Sequence, residues 1–508
     1  MPRTLMSPGH HAAKSPGLKN LVLSLLSGTL LILSFPKFNL WLLAWFGFVP
    51  LFFALEGKSK AKAFLLAYLA GVVFWFGTIY WLIHVTLPGM IILALYLALY
   101  FGIFGLIISR YTLYAIRSTL LLPSLWVILE YLRSHLLTGF PWALLGYSQY
   151  LNLPAIQISD MAGAWGVSFM VMLANAAIYS VARCPLPVKK QKFIPLLFIM
   201  IFVLIYGYSK LAQANKQTGK QATIRISVIQ ANIPQRLKWN IEARDFIVDK
   251  YLTLTKEALK DRPDFVIWPE ACLPVVLEEA PAYYEKVKDF VREERVPLVL
   301  GAVTAEKDAY YNSALLLSAE GNLLKKYNKV HLVPFGEYIP LRKTLRFLER
   351  VVPIGDFTAG REYAVFGSPV NFSVLICFED LFPELSRQFV RRGAGFLVNI
   401  TNDAWFGRTS SPYQHLQASV FRAVENRVNV VRSANTGVSG FIAPSGKILS
   451  LVQDASGRNI FITGHKTEGI TIAQGRLSFY TRYGDIFIIL CFLFLLYGII
   501  RNLKRRAF

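Results

Sequence analysis

The chain has 508 residues, of which 54% are hydrophobic and only 17% are charged, and its formal net charge is +23. This length predicts at least two structural units, and the apolar excess excludes an ordinary soluble globular protein. A basic chain can bind nucleic acid, but with this apolar content we expect anionic lipid headgroups to attract the positive charge, and no nucleic acid.

Apolar segments crowd the first 210 residues. They lie near residues 19–35, 40–55, 63–84, 89–109, 118–136, 162–182 and 193–209, and one more lies near 484–500. Because about 20 helical residues cross a bilayer core, we predict eight transmembrane helices. Any one segment could instead be a buried core helix, but seven in near succession favour a polytopic α-helical membrane domain over residues 1–210.

The short loops that are rich in Lys and Arg all fall on one side of this predicted bundle, which should be the cytoplasm. Both termini are then cytoplasmic, and residues 484–508 form the last helix and a basic tail. The long segment of about 210–483 lies outside the cytoplasm. The aromatic loop 137–161 is expected on that side too, at the interface or over a lipid-binding groove, or as an ordinary aromatic belt.

From about residue 222 the pattern changes to short strands alternating with helices. We predict strands at 223–232, 264–268, 297–303, 312–318, 371–377 and 395–400, helices at 240–260, 281–294, 382–392 and 413–427, and a hairpin at 439–452. This alternation is typical of an α/β domain, which we assign to residues 220–475.

Three polar residues stand where predicted strands end or a loop begins, which is where α/β folds bind ligands. Glu270 follows the strand 264–268, Lys329 precedes a rigid loop, and Cys377 ends the strand 371–377. Alone, the glutamate and the lysine could be solvated, and the cysteine could be a small core residue. Together they supply a base, a cation for an oxyanion and a nucleophile.

The segments around these residues resemble the nitrilase superfamily, and most closely its membrane-bound branch, the apolipoprotein N-acyltransferases. The matching motifs are Trp268-Pro-Glu270, Lys329-Val-His-Leu-Val-Pro-Phe-Gly-Glu337, Cys377-Phe-Glu379, Asn402-Asp-Ala-Trp-Phe-Gly407, Gln414-His415 and Arg432-Ser-Ala-Asn-Thr-Gly437. The resemblance covers essentially the whole chain and implies an α-β-β-α sandwich inserted before the last membrane helix. Phe378 departs from the tyrosine found after the nucleophile in many relatives.

The resemblance also implies roles for individual residues. Glu270, Lys329 and Cys377 would form the catalytic triad. Two further acids, Glu337 and Glu379, would orient the lysine or shape the pocket. Substrate contacts would come from Trp239, Phe378 and Trp405, although the two tryptophans could instead be packing residues.

The implied reaction transfers an acyl chain from a phospholipid to the α-amino group of the N-terminal diacylglyceryl-cysteine of apolipoproteins. It would run through a Cys377 thioester and complete lipoprotein maturation. The expected partners are the phospholipid, the apolipoprotein and the bilayer, with no metal or other cofactor. We expect a monomer in the bacterial inner membrane, with its catalytic domain in the periplasm.

Two other functions stay open. A membrane-tethered amidase of the same superfamily would hydrolyse its acyl-enzyme, but it would not need seven helices before the catalytic domain. A non-catalytic nitrilase-like module on a transporter-like membrane domain would not need the Glu, Lys and Cys set. Residues 339–352 combine apolar and basic side chains, so we hypothesise an amphipathic arm that gates lipid entry, or else a helix packed on its own domain.

Overall fold

The computed structural model describes residues 16–109, 116–183, 186–217, 223–339, 357–368, 370–473 and 476–504. The hypothetical arm at 339–352 lies, except for its first residue, outside these ranges. The helices are α1 (Pro16–Leu33), α2 (Val49–Leu55), α3 (Lys60–Thr78), α4 (Leu87–Ile108), α5 (Ile116–His135), α6 (Leu153–Ile156), α7 (Ser159–Arg183), α8 (Leu186–Gln217), α9 (Arg244–Leu259), α10 (Pro281–Glu294), α11 (Pro383–Arg391), α12 (Ser411–Asn426), α13 (Phe479–Tyr483) and α14 (Ile486–Lys504).

Helices α1 to α8 form one unit, and α14 returns to it and packs against α5 and α7. Within the described ranges, five helical stretches are long and apolar enough to cross a membrane: Lys60–Thr78, Leu87–Ile108, Leu120–Thr138, Ser159–Arg183 and Leu197–Ala214. Three further apolar stretches, Gly17–Leu33, Trp41–Leu55 and Ile486–Gly498, are shorter. The helical membrane domain is therefore confirmed, but three of the eight predicted spans fall short of that length.

The predicted span 40–55 is wrong as a continuous helix. A 3₁₀ helix, Trp41–Trp45, ends before α2 begins. The side chain of Asn175 on α7 binds the backbone at the break: its Nδ2 donates to the Ala44 carbonyl at 2.8 Å, and its Oδ1 accepts from the Phe48 N–H at 2.8 Å. Because unpaired backbone groups are costly within a membrane, this amide allows the helix to break there.

The described chain between α8 and α14 contains two facing β-sheets and the helices that cover them. The strands are β1 (Thr223–Gln230), β2 (Phe265–Ile267), β3 (Leu298–Glu306), β4 (Ala309–Leu317), β5 (Leu323–Asn328), β6 (Ser373–Ile376), β7 (Phe396–Thr401), β8 (Asn429–Ala434), β9 (Gly440–Ile442), β10 (Ile448–Leu451) and β11 (Gly464–Thr471). The first sheet has the order β11-β1-β2-β3-β4-β5, and the second has the order β10-β9-β8-β7-β6. Helices α9 and α10 cover the first sheet, and α11 and α12 cover the second, which confirms the α-β-β-α sandwich.

Strand β2 shows how the sequence builds this sandwich. Phe265 and Ile267 point between the sheets, whereas Val266 packs towards α9 and α10. The Phe265 ring lies 5.5 Å from that of Phe372 and 6.2 Å from that of Phe396, measured between centroids. Successive side chains of a strand point to opposite faces. A strand that is buried on both faces is therefore a continuous apolar run, and polar residues collect at its end.

Helix α12 lies between the second sheet and the membrane unit and is buried along nearly its whole length. The Oε1 of Gln414 accepts from the indole N–H groups of Trp81 and Trp142 at 3.0 and 2.7 Å. Its Nε2 donates to the Thr78 carbonyl at 3.0 Å. Within the aromatic loop 137–161, residues 141–150 are buried, and Trp142 and Tyr147 contact this helix. This part of the loop is therefore a contact between the two units.

Candidate active site

Cys377 stands at the turn from β6 into a short 3₁₀ helix, Cys377–Leu381. Its φ is +56°, in the left-handed region that is unfavourable for a residue with a side chain. A strained strand-to-helix turn of this kind exposes a nucleophile beside backbone N–H groups. The Cys377 carbonyl accepts hydrogen bonds from Asn399 Nδ2 at 2.9 Å and from His415 Nε2 at 3.2 Å, which hold the turn in place.

Glu270 is buried just beyond the end of β2, rather than solvated. Its Oε1 accepts from Asn312 Nδ2 at 2.7 Å, and its Oε2 accepts from the Asn402 N–H at 2.8 Å. The buried ammonium of Lys238 donates to the Glu270 carbonyl at 3.1 Å. Donors from two other segments therefore hold the carboxylate, and a donor from a third segment holds the backbone of the same residue. Neither Asn312 nor Lys238 was predicted from the sequence, because a single polar residue near a strand or turn carries no distinctive signal.

Lys329 is 1% exposed and follows β5 directly. Its Nζ donates to Glu337 Oε1 at 2.9 Å and lies 3.9 Å from Glu270 Oε1. Asn312 Nδ2 also donates to Glu337 Oε1, at 2.9 Å, and so bridges the two acids. Burial lowers the pKa of the Lys329 ammonium, but Glu337, Cys377 and Glu270 more than offset this. The net pKa is raised, and the lysine is a permanent cation at neutral pH.

The Cys377 thiol lies within the field of these charges. Burial raises its pKa well above the ordinary value, and the Glu270 carboxylate adds to the rise, whereas the Lys329 ammonium opposes it. The thiol is therefore protonated at neutral pH. A thiolate, which is the reactive form, arises only when a nearby base accepts the proton.

Glu379 is fully buried and makes no direct hydrogen bond to Lys329 in the described part of the chain. Its Oε1 accepts from the N–H groups of residues 330–331 at 2.8 and 3.0 Å, and its Oε2 accepts from the Ile376 N–H at 2.8 Å. The Tyr327 hydroxyl also donates to it, at 2.9 Å. This acid therefore joins the backbone after Lys329 to the backbone before Cys377.

Phe378 follows Cys377 directly and is half-buried. Its ring centroid lies 5.1 Å from that of Phe382 and 5.5 Å from that of His331. The Lys329 ammonium lies 5.8 Å from the Phe378 ring centroid, within the range of a cation–π contact. The aromatic face therefore stands next to the ammonium.

Trp239 and Trp405 are 47% and 52% exposed. They lie on two segments that meet, because Asn402 Nδ2 donates to Gln235 Oε1 at 2.9 Å. The same asparagine binds Glu270 through its N–H, so both segments flank the buried carboxylate. Large exposed aromatic side chains beside such a site are suited to an apolar ligand.

A second buried cluster lies beneath Cys377, and no role was predicted for it from the sequence. His415 Nδ1 is 3.1 Å from Asp403 Oδ1, and its Nε2 is 2.8 Å from Asp380 Oδ1. Asp380 also pairs with Arg432 at 2.9 Å. The available signal was Arg432 directly after two valines in the predicted α/β domain, since a buried charge requires a partner.

Two family models match the chain. The one described as "Apolipoprotein N-acyltransferase N-terminal domain" matches residues 27–177, and the one described as "Carbon-nitrogen hydrolase" matches residues 225–483. The first falls within the helical unit, and the second spans the sandwich.

Similar proteins include two named apolipoprotein N-acyltransferase. The one from Geobacter metallireducens is 39% identical over 496 residues, which are 93% of each chain. The one from Pasteurella multocida is 30% identical over 516 residues, with 96% of each chain covered. Among solved structures, an amidase from Nesterenkonia sp. is 20% identical, with a TM-score of 0.39, over 50% of this chain and 92% of its own.

Proposed function

Because the chain belongs to the apolipoprotein N-acyltransferase family, we propose that it transfers an acyl chain from a phospholipid to the N-terminal diacylglyceryl-cysteine of apolipoproteins. It is an enzyme of the carbon–nitrogen hydrolase family. The observation that carries the proposal is the buried set of Glu270, Lys329 and Glu337 beside Cys377 at its strained turn.

In the first half-reaction Glu270 accepts the thiol proton as the Cys377 sulfur attacks the ester carbonyl of the phospholipid. A C–S bond forms, and the carbonyl oxygen becomes an oxyanion. The Lys329 ammonium and the backbone N–H of Phe378 stabilise this charge. The ester C–O bond then breaks, Glu270 returns the proton to the leaving oxygen, and a lysophospholipid departs from the thioester.

In the second half-reaction the neutral α-amine of the apolipoprotein attacks the thioester carbonyl. Glu270 accepts a proton from the amine, the same donors stabilise the oxyanion, and the C–S bond breaks. An amide leaves, and the thiolate regains its proton. The reaction is a ping-pong sequence in which two acceptors, amine and water, compete for one intermediate.

Glu337 and Glu379 act through other groups in this scheme. Glu337 holds the Lys329 ammonium at 2.9 Å, and Glu379 holds the backbone beside both the lysine and the cysteine. Trp239, Trp405 and Phe378 provide aromatic surface for the lipid chains.

We further propose that the enzyme is a bacterial inner-membrane protein with its membrane domain at 1–210, its catalytic domain at 220–475 in the periplasm, and its last helix and tail at 484–508. The basic loops on one side of the bundle support this orientation. Both lipid substrates are then available at the outer surface of that membrane.

The test is mass spectrometry of the purified protein after incubation with phospholipid and no acceptor. We expect an acyl adduct on Cys377 that is absent from Cys377→Ala and is discharged by a diacylglyceryl-cysteine peptide. Equal discharge by water alone would identify an amidase-type hydrolase instead. If no phospholipid leaves an adduct on the folded protein, the acyltransferase proposal is wrong.

A further inference from the structure

The second buried cluster contains His415, Asp380, Asp403 and Arg432. It contacts the peptide group between Cys377 and Phe378, whose N–H is a proposed oxyanion donor. The carbonyl of Cys377 accepts from His415 Nε2 at 3.2 Å and from Asn399 Nδ2 at 2.9 Å. In a trans peptide the C=O and the following N–H point in opposite directions. Donors that draw the Cys377 carbonyl towards α12 and β7 therefore direct the N–H of Phe378 to the opposite side.

His415 is surrounded by acceptors on both ring nitrogens. Nδ1 faces Asp403 from the turn after β7, and Nε2 faces Asp380 from the nucleophile turn, as well as the Cys377 carbonyl. A neutral imidazole carries only one N–H, so one nitrogen would present a lone pair to a carboxylate. The doubly protonated ring satisfies both sides.

The charges around the ring agree with this state. Burial lowers the pKa of His415, but Asp380 and Asp403 outweigh it and the opposing Arg432, so the pKa is raised to about 9. Arg432 pairs with Asp380 at 2.9 Å, and Ser419 also donates to that carboxylate. The cluster therefore combines two anions with two cations, and no charge in it is left uncompensated.

We propose that His415 is a positioning residue whose imidazolium holds and polarises the Cys377–Phe378 peptide, so that the Phe378 N–H is aimed at the oxyanion. The inference rests on the acyl-transfer function proposed above. A charged donor on the carbonyl withdraws electron density from the peptide, which strengthens hydrogen bonding by the N–H on its other side. The ring thus acts on the reaction from behind the nucleophile, without touching substrate.

The test measures single-turnover acylation of Cys377 in the full chain reconstituted with phospholipid. His415→Gln should slow acylation by roughly 10- to 100-fold. This is no larger than the loss of about 10²- to 10³-fold that follows removal of a direct oxyanion donor. The KM for phospholipid should be unchanged. Asn399→Ala removes the second donor and leaves the carboxylate cluster intact, so it should slow acylation by a smaller factor. Gln417→Leu, on the same buried helix, is the matched control and should leave the rate unchanged.

A spectroscopic readout separates positioning from simple loss of packing. In wild-type protein with ¹⁵N-labelled histidine, one ring should be protonated on both nitrogens at neutral pH, and its signals should vanish in His415→Gln. A neutral ring at neutral pH would overturn the inference, and so would an unchanged acylation rate in a folded His415→Gln. Should that variant not fold, the wild-type spectrum and the Asn399→Ala rate decide. If the wild-type protein forms no adduct, the proposed function itself fails.

Discussion

Glu270 is expected to have two opposing effects on Cys377. Its negative charge raises the pKa of the Cys377 thiol, which disfavours a resting thiolate. The same carboxylate is the base proposed to accept the proton during attack. Asn312 and the Asn402 N–H hold it by one hydrogen bond each. We therefore expect the thiol to stay protonated until an acyl donor is bound.

Replacing Glu270 with glutamine should change two measurements in opposite directions. Without the carboxylate the pKa of Cys377 falls, so alkylation by iodoacetamide should begin at lower pH than in the wild-type protein. Acyl transfer should fall by about 10²- to 10⁴-fold, because the base is lost. Mass spectrometry across neutral to alkaline pH reports the alkylation of Cys377 separately from that of other cysteines.

The control for this prediction is Glu285→Gln, at an exposed glutamate on α10. It should alter neither the alkylation profile nor the transfer rate. An alkylation profile of Glu270→Gln that stays in place or moves to higher pH would contradict the electrostatic account of the thiol.

At the scale of elements, α12 connects the catalytic sandwich to the membrane helices at both of its ends. Near its N-terminus, Gln414 binds Trp81, Trp142 and the Thr78 carbonyl. Just beyond its C-terminus, Arg427 pairs with Asp160 of α7 at 2.7 Å. His415, the next residue, contacts the turn at Cys377. One helix therefore contacts both the membrane unit and the turn that carries Cys377.

Gln414→Leu should destabilise the protein and slow acylation. Two indole N–H groups and one carbonyl would lose their partner, and each buried polar group left unsatisfied costs about 1–3 kcal/mol. Thermal unfolding in detergent and the rate of Cys377 acylation are the measurements. Gln417→Leu is the matched change, because the Gln417 side chain is buried with no hydrogen-bond partner in the described part of the chain. Equal losses in both variants would show that the contacts of Gln414 carry no special weight.

At the scale of the whole molecule, the two units share a buried interface rather than a flexible tether. Helix α12, which covers the second sheet, packs against α7 and against the buried residues 141–150. A catalytic domain that was cut from the membrane unit would expose this apolar surface to water, which favours association. The sandwich therefore packs directly against helices that precede it in the chain.

The proposed orientation predicts the activity of reporter fusions. Alkaline phosphatase needs disulfides and becomes active only outside the cytoplasm. Fused after residue 220 it should be active, and fused after residue 185, between α7 and α8, it should be inactive. A fluorescent reporter that folds in the cytoplasm should give the reverse pattern. Active phosphatase after residue 185 would invert the predicted topology.

The sequence alone determined the fold class and the candidate triad, because both depend on patterns among residues that are close together in the chain. Apolar runs and strand–helix alternation depend on neighbouring residues, and they predicted the helical unit and an α/β domain. The family resemblance implied the α-β-β-α arrangement of that domain, and the structure confirms both. Glu270, Lys329 and Cys377 stand at or near the ends of strands in specific motifs. Each residue alone had an ordinary explanation, so the chemistry was predicted from the three segments together and from the family resemblance. Their catalytic role stays a prediction.

Only the tertiary structure decided how distant segments support one another. The break in the predicted span 40–55 depends on Asn175. Strand β11 is too polar to be predicted from its own sequence, and only its pairing with β1 identifies it as a strand. Asn312 joins two acids, and His415 contacts the nucleophile turn from a separate helix. These contacts join residues far apart in the chain, and their energies depend on burial and distance, which the order of residues alone does not specify.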